Sequence, residues 1–373
     1  MNPFFLIPHT PSAYFCDRQK ETDELLKYIE NGANITLISP RRFGKTGLIY
    51  HVFDILREKC DKKDLIHADI FDTSCADDFI SVLADAISRE LKKESLIKSF
   101  LKTLGSIRPV FSHDPLSGEP KLSFTFQTDS ERRYSLKALL DFLEHRPNKV
   151  IVAIDEFQQI RQYEGVSMEA LLRSCIQPLT NVQFIFSGSK KHVMADMFTS
   201  EKSPFYESSA IYSLDKINRE VYADFIKEQF DGQKKSITEE AVDYILEWTC
   251  CHTFYTQFLC NRVFQDVDKE AGLKDVLLAI DSIMTENEGA FIERKSLLTP
   301  KQWKMLKAIA KEGEVREPTG FAFLKKYSLG APSSASRLMN SLLDKELILE
   351  TKTLSGSSYR VYNVFFSRWL ERL

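Results

Sequence analysis

The sequence predicts an α/β fold in which a parallel sheet is followed by a helical segment and a small C-terminal domain ending in a β-hairpin. Short apolar segments of strand character alternate with amphipathic helices up to about Lys216. A glycine-containing loop joins the first of these strands to the helix that follows it. Beyond Lys216 consecutive helices replace the alternation, and a hairpin pattern appears only near the end of the chain.

Length and composition are those of a globular protein with more than one domain. The chain has 373 residues, 43% of them hydrophobic and 28% charged, which excludes global disorder. The net charge is −3, but from residue 291 onwards fifteen Lys and Arg face eight Asp and Glu. A basic C-terminal part on an acidic body favours a polyanionic partner for that part.

Cysteine usage and hydropathy predict a cytoplasmic protein. The seven cysteines include no CxxC pair, which argues against a zinc site or a redox pair and fits reduced thiols. The apolar residues 1–8 lack a basic leader and are interrupted by prolines, so no signal peptide is expected. No run of 18 apolar residues occurs, so we expect no membrane span.

The elements of the first part follow from periodicity and turn residues. Predicted strands cover residues 34–38, 65–71, 149–154 and 182–186, and predicted helices cover residues 17–29, 46–59, 76–104, 135–145 and 167–176. Prolines between alternating apolar residues predict an inserted hairpin at about 105–128. Alternating strands and helices imply parallel strand pairing.

The second part is predicted to be helical and then to change character at about residue 294. Predicted helices cover residues 219–229, 238–248, 253–266, 274–293, 299–310, 321–327 and 332–345, and predicted strands cover residues 347–351 and 358–364. Thr299 is expected to cap its helix, with Pro300 in the first turn. The order of the last elements is that of a winged helix-turn-helix, so the predicted domains are 1–215, 216–293 and 294–373.

The loop after the first strand is a candidate phosphate-binding loop. Residues 39–46 match G-x-x-x-x-G-K-[ST] except that Ser39 replaces the first glycine. Gly44 lets the backbone approach phosphates, Lys45 supplies a charge for the β- and γ-phosphates, and the Thr46 hydroxyl can ligate Mg²⁺. The predicted cofactors are ATP and Mg²⁺, and the predicted nucleotide-binding residues are Ser39, Pro40, Arg41, Arg42, Phe43, Gly44, Lys45, Thr46, Gly47 and Arg18. Arg41 and Arg42 could contact phosphate, contact a neighbouring chain, or only be solvated.

Two acidic residues follow the third predicted strand. Because a parallel sheet presents the C-terminal ends of its strands at one edge, Asp155 is expected to hold Mg²⁺ together with Thr46. Glu156 is expected to act as the base that polarises the attacking water, with Lys45 beside it. The alternative is a solvated acidic strand end.

Serines at the next strand end and an arginine near the N-terminus are weaker candidates. Ser187 is the first candidate for sensing the γ-phosphate and Ser189 the second, and a serine-rich turn is the alternative. Arg18 could lie over the adenine or belong to an ordinary capped helix. The histidines are isolated in sequence and suggest no metal site.

Taken together, these motifs resemble the archaeal/bacterial predicted-ATPase family, STAND-class P-loop ATPases that are AAA+-like. The matching segments are Phe15-x-x-Arg18, residues 39–46 (Gly-Pro-Arg-Arg-x-Gly-Lys-Thr in the family), Ile154-Asp155-Glu156-Phe157-Gln158, Phe186-Ser187-Gly188-Ser189, Ser203-Pro204-Phe205-Tyr206 and Ile211-Tyr212-Ser213-Leu214. The resemblance implies a P-loop NTPase core, a helical lid and a C-terminal winged helix. Residues 249–255 replace the family's usual Gly-x-Pro-aromatic stretch, so no lid sensor is assigned. No arginine closely follows Phe205-Tyr206, so no arginine finger is assigned either.

The leading functional hypothesis is an ATP-hydrolysing molecular switch whose winged helix contacts DNA or a protein partner. Alternatives are a non-hydrolysing nucleotide-binding scaffold and an origin-recognition-type DNA loader, which would need a lid arginine such as Arg219 or Arg262. A kinase is less expected, because a glutamate beside the Mg²⁺ ligand points to water as acceptor. The sequence leaves open whether the protein is a monomer or assembles into a nucleotide-dependent oligomer.

The predicted DNA-contacting residues lie in the last domain. Small hydroxyls and an arginine at the start of the recognition helix suit phosphate or groove contacts, and basic residues are expected on the wing. These candidates are Ser334, Arg337, Lys352 and Arg360.

Overall fold

A computed structural model describes residues 1–7, 9–59, 63–91, 100, 110–113, 120–165, 167–353 and 356–373. These residues divide into two compact units, Ile7–Lys216 and Ile217–Leu373 together with Met1–Leu6. The first six residues, which the sequence groups with the predicted domain 1–215, therefore lie in the second unit. The domain boundaries at 216 and 294 stay predictions.

Parallel strands form the centre of the first unit. Its strands within the described ranges are β1 (Ile35–Ile38), β2 (Lys63–Asp69), β3 (Val110–His113), β4 (Pro120–Ser123), β5 (Lys149–Asp155), β6 (Val182–Gly188) and β7 (Ala210–Ser213). Five form one parallel sheet in the order β2-β5-β6-β1-β7, which confirms the predicted parallel core. Strands β3 and β4 pair antiparallel within the segment predicted as a hairpin, whose residues 105–109 and 114–119 lie outside the described part.

Helices cover both faces of this sheet. They are α1 (Gln19–Glu30), α2 (Lys45–Glu58), α3 (Ala76–Glu90), α4 (Asp129–Glu144), α5 (Met168–Ile176) and α6 (Lys191–Thr199). Along β5, Val150, Val152 and Ile154 belong to the apolar core on one face, and Ile151 and Ala153 belong to the core on the other. Burial on both faces explains why this strand is a continuous apolar run.

Some elements of the first unit differ from the sequence prediction. Helix α6 and strand β7 were not predicted; β7 alternates half-buried and exposed residues, so it lacks the apolar run by which its neighbours were recognised. The helix predicted over residues 76–104 ends at Glu90, and residues 92–99 and 101–104 lie outside the described part.

The second unit is mainly helical. Its helices are α7 (Arg219–Asp231), α8 (Glu239–Trp248), α9 (Thr253–Asp266), α10 (Leu273–Ser296), α11 (Pro300–Glu312), α12 (Phe321–Tyr327), α13 (Pro332–Asp344) and α14 (Val364–Glu371), and its strands are β8 (Ser236–Ile237), β9 (Glu270–Ala271), β10 (Ile348–Thr353) and β11 (Gly356–Val361). Three helices followed by the β10–β11 hairpin confirm the predicted winged helix. The Thr299 hydroxyl accepts a hydrogen bond from the Gln302 amide at 3.3 Å, which confirms the predicted cap. Within the described ranges, no helix combines the length and apolarity needed to cross a membrane.

The end of the chain corrects one prediction. The strand predicted over residues 358–364 ends at Val361, and α14 begins at Val364. Asn363 accepts a hydrogen bond from the Phe366 amide at 2.9 Å and caps this helix. The apolar residues 364–366 resemble a strand in sequence, but the cap ahead of them starts a helix.

Candidate nucleotide-binding site

The predicted phosphate-binding loop joins the end of β1 to the start of α2. Gly44 is the residue before the helix and has φ +95°, a left-handed conformation that glycine adopts without strain. The loop is anchored to the neighbouring strand, since the Ser39 amide donates to the Gly188 carbonyl at 3.2 Å. The first amides of α2 therefore point out of a helix N-terminus, where anions bind favourably.

Lys45 folds back over this loop. Its ammonium donates to the carbonyls of Ser39 at 3.0 Å and Pro40 at 3.3 Å, and the residue is 5% exposed. Burial lowers the pKa of the Lys45 ammonium, and the nearby carboxylates of Asp155 and Glu156 oppose this shift. A buried cation held by backbone carbonyls is available to a phosphate oxygen that can replace them.

The two predicted Mg²⁺ ligands are in contact. The Thr46 hydroxyl donates to Asp155 Oδ2, although the residues are 109 positions apart. Burial alone would raise the pKa of Asp155, but neighbouring His67 and Lys45 outweigh it and hold the pKa of this carboxyl well below its usual range. Asp155 is therefore an anion at neutral pH.

These residues fit Mg²⁺ bound together with a nucleotide. In the described part of the chain, no group of three His, Cys, Asp or Glu could enclose a metal ion. When phosphates and waters supply most of its ligands, Mg²⁺ needs only one or two ligands from the protein. A threonine hydroxyl and one carboxylate meet that need.

Two buried hydroxyls at the sheet edge also fit a phosphate. Among the described residues, Ser39 Oγ has no hydrogen-bond partner, whereas Ser187 Oγ lies close to the Asp155 carboxylate and helps to lower its pKa; both residues are fully buried. Ser187 lies opposite Leu37 in the β6–β1 register, and Leu37 is two residues before Ser39. A buried hydroxyl without a partner costs about 1–3 kcal/mol, so the Ser39 position would gain from a ligand oxygen.

Glu156 follows Asp155 in a left-handed conformation, with φ +55°. Its carboxylate Oε2 accepts hydrogen bonds from Gln158 Nε2 at 2.5 Å and Ser189 Oγ at 2.6 Å. The second candidate serine, Ser189, is therefore a partner of Glu156. Gln158 stands in the matching family segment but was not predicted as a site residue, because its role depends on a contact between two strand ends.

The end of β2 contributes two further residues that the sequence analysis missed. Asp69 is the register partner of Asp155, and burial and then the negative charge of Asp155 raise the pKa of Asp69. His67 Nε2 lies 3.9 Å from Asp155 Oδ2, and His67 Nδ1 is hydrogen-bonded to the Tyr50 hydroxyl at 3.2 Å. The predicted strand ran on to residue 71, so Asp69 was not recognised as a strand end.

The three predicted arginines differ in their contacts, and two of them, Arg41 and Arg42, belong to the loop itself. Arg18, the residue before α1, is 3% exposed and donates to the Phe43 carbonyl at 3.3 Å. It therefore supports the loop from the start of α1. The Arg41 guanidinium lies 4.9 Å from the centre of the Phe71 ring. Arg42 is exposed and has φ +66°. Pro40 and Phe43 are buried, and Gly47 lies half-buried in the first turn of α2.

The residues predicted to contact DNA all belong to the second unit. Ser334 is half-buried and Arg337 is exposed, both in the first half of α13. Arg360 on β11 forms an ion pair with Glu314 at 2.6 Å. Lys352 lies on β10, and its side chain is outside the part that the structure describes.

The two arginines considered for a DNA loader are engaged within the second unit. Arg219 donates to the Asp243 carboxylate at 2.8 Å. Arg262 donates to both carboxylate oxygens of Glu286, at 2.6 and 2.8 Å. Both ion pairs are solvent-exposed, so little free energy holds these arginines there.

Solved structures with the same overall fold include nucleotide-binding proteins. A Walker-type ATPase of Pyrococcus abyssi is 18% identical, with each chain covered over 100% of its length and a TM-score of 0.68. The ORC2 protein of Aeropyrum pernix in ADPNP–ADP complexes is 14% identical, with 100% of this chain and 96% of that chain covered and a TM-score of 0.59. The ORC1 protein of Aeropyrum pernix in complex with DNA is 11% identical over the same shares, with a TM-score of 0.54. At these identities the likeness shows the fold alone.

Sequence comparison identifies the family. A search of curated proteins found no match. Residues 289–372 match the model of a probable winged helix domain. Residues 15–252, well over half of the chain, match the model of an ATPase domain predominantly from Archaea. With the phosphate-binding loop, the acidic strand end and the parallel sheet already in place, the chain belongs to this family of predominantly archaeal ATPase domains.

Proposed function

We propose that the protein is an ATP-hydrolysing molecular switch that couples its nucleotide state to the C-terminal winged helix. The observation that carries this proposal is the meeting of Lys45, Thr46, Asp155 and Glu156 at one edge of the parallel sheet. A charge for the phosphates, a metal-binding pair and a carboxylate base are the parts that ATP hydrolysis requires.

Each residue has a distinct part in the proposed reaction. Thr46 and Asp155 would hold Mg²⁺, which when bound neutralises charge on the phosphate oxygens. Lys45 would exchange its carbonyl contacts for the β- and γ-phosphates. Glu156 would orient a water and take up its proton, and the Ser187 hydroxyl would donate to the γ-phosphate.

Coupling to the winged helix is supported by the organisation of the second unit. The lid helices α7–α10 and the winged helix belong to one compact unit, and α10 runs without interruption through residues 293 and 294. Movement of the lid helices would therefore carry the winged helix with it.

Turnover and binding of ATP by two variants test this function. Lys45→Ala is expected to weaken ATP binding at least 10-fold, because the loop loses its only side-chain ammonium. Glu156→Gln is expected to bind ATP like the wild type but to hydrolyse it about 100- to 10,000-fold more slowly, because the amide accepts no proton from water. Near-normal turnover by Glu156→Gln would refute the role of the base, and ATP binding without turnover by the wild type would favour a nucleotide-binding scaffold.

We further propose duplex DNA as the partner of the winged helix, through the first half of α13. Arg337 is exposed there, whereas the charge of Arg360 is balanced by Glu314. The similarly folded ORC1 protein of Aeropyrum pernix was solved with DNA.

Binding of random duplex DNA at several salt concentrations, with and without ATP, tests this partner. Affinity should fall as salt rises and should fall further in Arg337→Ala. Elution of the same samples from a sizing column tests for a nucleotide-dependent oligomer. DNA binding that is absent at low salt would point to a protein partner.

A further inference from the structure

The Glu156 carboxylate is held by two side chains that come from different parts of the sheet edge. Gln158 lies two residues further along the chain, in the 3-10 segment Phe157–Gln162, and Ser189 follows the last residue of β6. Gln158 Nε2 donates at 2.5 Å and Ser189 Oγ at 2.6 Å. Both hydrogen bonds go to the same oxygen, Oε2, so the carboxylate is oriented with Oε1 as the oxygen directed away from these two donors.

Gln158 is itself fixed in place. It is 2% exposed, and its Oε1 accepts a hydrogen bond from the Ser189 amide at 3.3 Å. Its Nε2 also lies 3.4 Å from Ser189 Oγ. The amide therefore bridges the backbone of the β6 end and the carboxylate of Glu156, and its two polar ends cannot be exchanged without losing a hydrogen bond.

A glycine makes this close packing possible. A Cβ atom on Gly188 would lie 2.4 Å from Gln158 Oε1 and 2.4 Å from Met194 Sδ, distances that no side chain can occupy. Because Met194 is fully buried, the crowding could not be relieved on that side. A side chain at position 188 would therefore displace Gln158 or Met194 from these positions.

The strand order shows which way the carboxylate is turned. Strand β6 lies between β5, which ends at Asp155, and β1, which leads into the phosphate-binding loop. The hydrogen bond that Ser189 Oγ donates to the Glu156 carboxylate therefore directs this carboxylate towards the loop side of the sheet. On the opposite side, at the end of β2, the carboxylate of Asp69 would repel it.

We infer that Gln158 and Ser189 are positioning residues that hold the Glu156 carboxylate towards the water that attacks the γ-phosphate. This inference rests on the proposed ATP hydrolysis and identifies what orients its base. The left-handed backbone at Glu156 and its two hydrogen bonds fix the orientation of the carboxylate, and a base held in this way needs little reorganisation during the reaction.

Steady-state ATP hydrolysis by Gln158→Ala and Ser189→Ala tests the inference. We expect kcat to fall about 10- to 100-fold in each, since misplacing a catalytic group by about 1 Å has effects of this size. KM and the Kd for ATP should stay near those of the wild type in both variants. The thermal midpoint should stay near that of the wild type in Ser189→Ala, and it should fall in Gln158→Ala because that change removes a buried, hydrogen-bonded side chain. Ser189→Thr, which keeps the hydroxyl, should recover part of the lost rate. Gln162→Ala is the matched control. Gln162 is exposed on the same segment, and its side chain donates a hydrogen bond to Gln159 rather than to Glu156.

A second series in the Glu156→Gln background separates positioning from general damage. If Gln158 and Ser189 act through Glu156, adding either alanine to Glu156→Gln should lower kcat no further. Losses that add to that of Glu156→Gln in the double variants would overturn the inference, and so would an unchanged or raised kcat in the single variants Gln158→Ala and Ser189→Ala. Absence of turnover by the wild type would instead refute the hydrolytic function and the positioning role with it, whereas turnover that needs Glu156 but neither partner would refute the positioning role alone.

Discussion

In the first unit the polar groups of the candidate site directly follow strands of the sheet, whereas the second unit is held by aromatic side chains drawn from both ends of the chain. Glu156 and Ser189, which follow β5 and β6, meet because parallel strands end at one edge, and Asp155 at the end of β5 is reached there by Thr46 from the first turn of α2. In the second unit no comparable rule brings the contacting residues together. The residues of the candidate site in the first unit can therefore be predicted from the ends of strands. The contacts that pack the second unit cannot be predicted in this way.

The N-terminal residues illustrate the second kind of organisation. Phe4 is 1% exposed, and its ring centre lies 6.3, 5.5 and 6.1 Å from those of Phe225, Phe230 and Phe264. Asn261 donates to the Phe4 carbonyl at 2.6 Å. The N-terminus is therefore an integral part of the core formed by α7 and α9.

The C-terminal helix is the other example. The Phe365 ring packs at 5.5, 4.7 and 5.5 Å from the rings of Trp248, Tyr255 and Phe258. Arg368 on the same helix donates to the carbonyl of Trp248 at 3.0 Å, at the end of α8. Helix α14 thus packs against α8 and α9.

The largest effect is expected from Phe4→Ala. Removing a fully buried aromatic ring should lower the free energy of unfolding of the second unit by about 3–5 kcal/mol. Chemical denaturation followed by tryptophan fluorescence measures this, because all three tryptophans lie in the second unit. Leu6→Ala, at a side chain that is 41% exposed, is the control and should change stability by less than about 0.5 kcal/mol. Equal effects of the two would show that the N-terminus is not part of this core.

Asp155→Asn should act on chemistry without unfolding the first unit. The amide keeps the shape of the side chain but loses the charge that would hold Mg²⁺, so ATP turnover should fall on the order of 100-fold, equivalent to about 3 kcal/mol. Turnover measured against Mg²⁺ concentration, with the thermal midpoint, checks this. Asp196→Asn, which removes an exposed partner of Arg161, should leave turnover unchanged. A loss of less than 10-fold would contradict the assignment of Asp155.

Arg368→Ala should weaken the attachment of α14. The guanidinium donates to the carbonyls of Glu247 and Trp248, and loss of these charged hydrogen bonds should cost about 2 kcal/mol of second-unit stability. The same denaturation experiment measures it. Arg372→Ala, at an exposed position near the chain end, serves for comparison, and a similar loss in both would mean that the helix is held by its aromatic residues alone.

The smallest effect is expected from Arg18→Lys. Lysine keeps the charge but lacks the fork that reaches both Glu21 and the Phe43 carbonyl. The loop should be braced less well, and the Kd for ATP should rise about 5-fold, or about 1 kcal/mol. Titration with a fluorescent ATP analogue measures this, beside exposed Lys20→Ala. An effect above 100-fold would show instead that Arg18 contacts the nucleotide directly.

Much of the candidate site could be predicted because each part has a local signature. The loop is recognised by Gly44-Lys45-Thr46 between a strand and a helix, and Asp155 and Glu156 by their place after an apolar run. Gln158 and Asp69 could not be recognised in this way. Gln158 acquires its role from a partner 31 residues away, and Asp69 from the register of β2 with β5.

The sequence by itself determined the parallel sheet, the phosphate-binding loop, the acidic strand end and the winged helix, because periodicity and turn residues act over a few neighbouring positions. Only the tertiary structure decided that Thr46 meets Asp155, that Glu156 is held by Gln158 and Ser189, and that Phe4 lies within the second unit. Apart from the contact between Glu156 and Gln158, these contacts join residues far apart in the chain. Their formation depends on strand order and on which apolar surfaces are buried together, and neither property is encoded in the spacing of nearby residues.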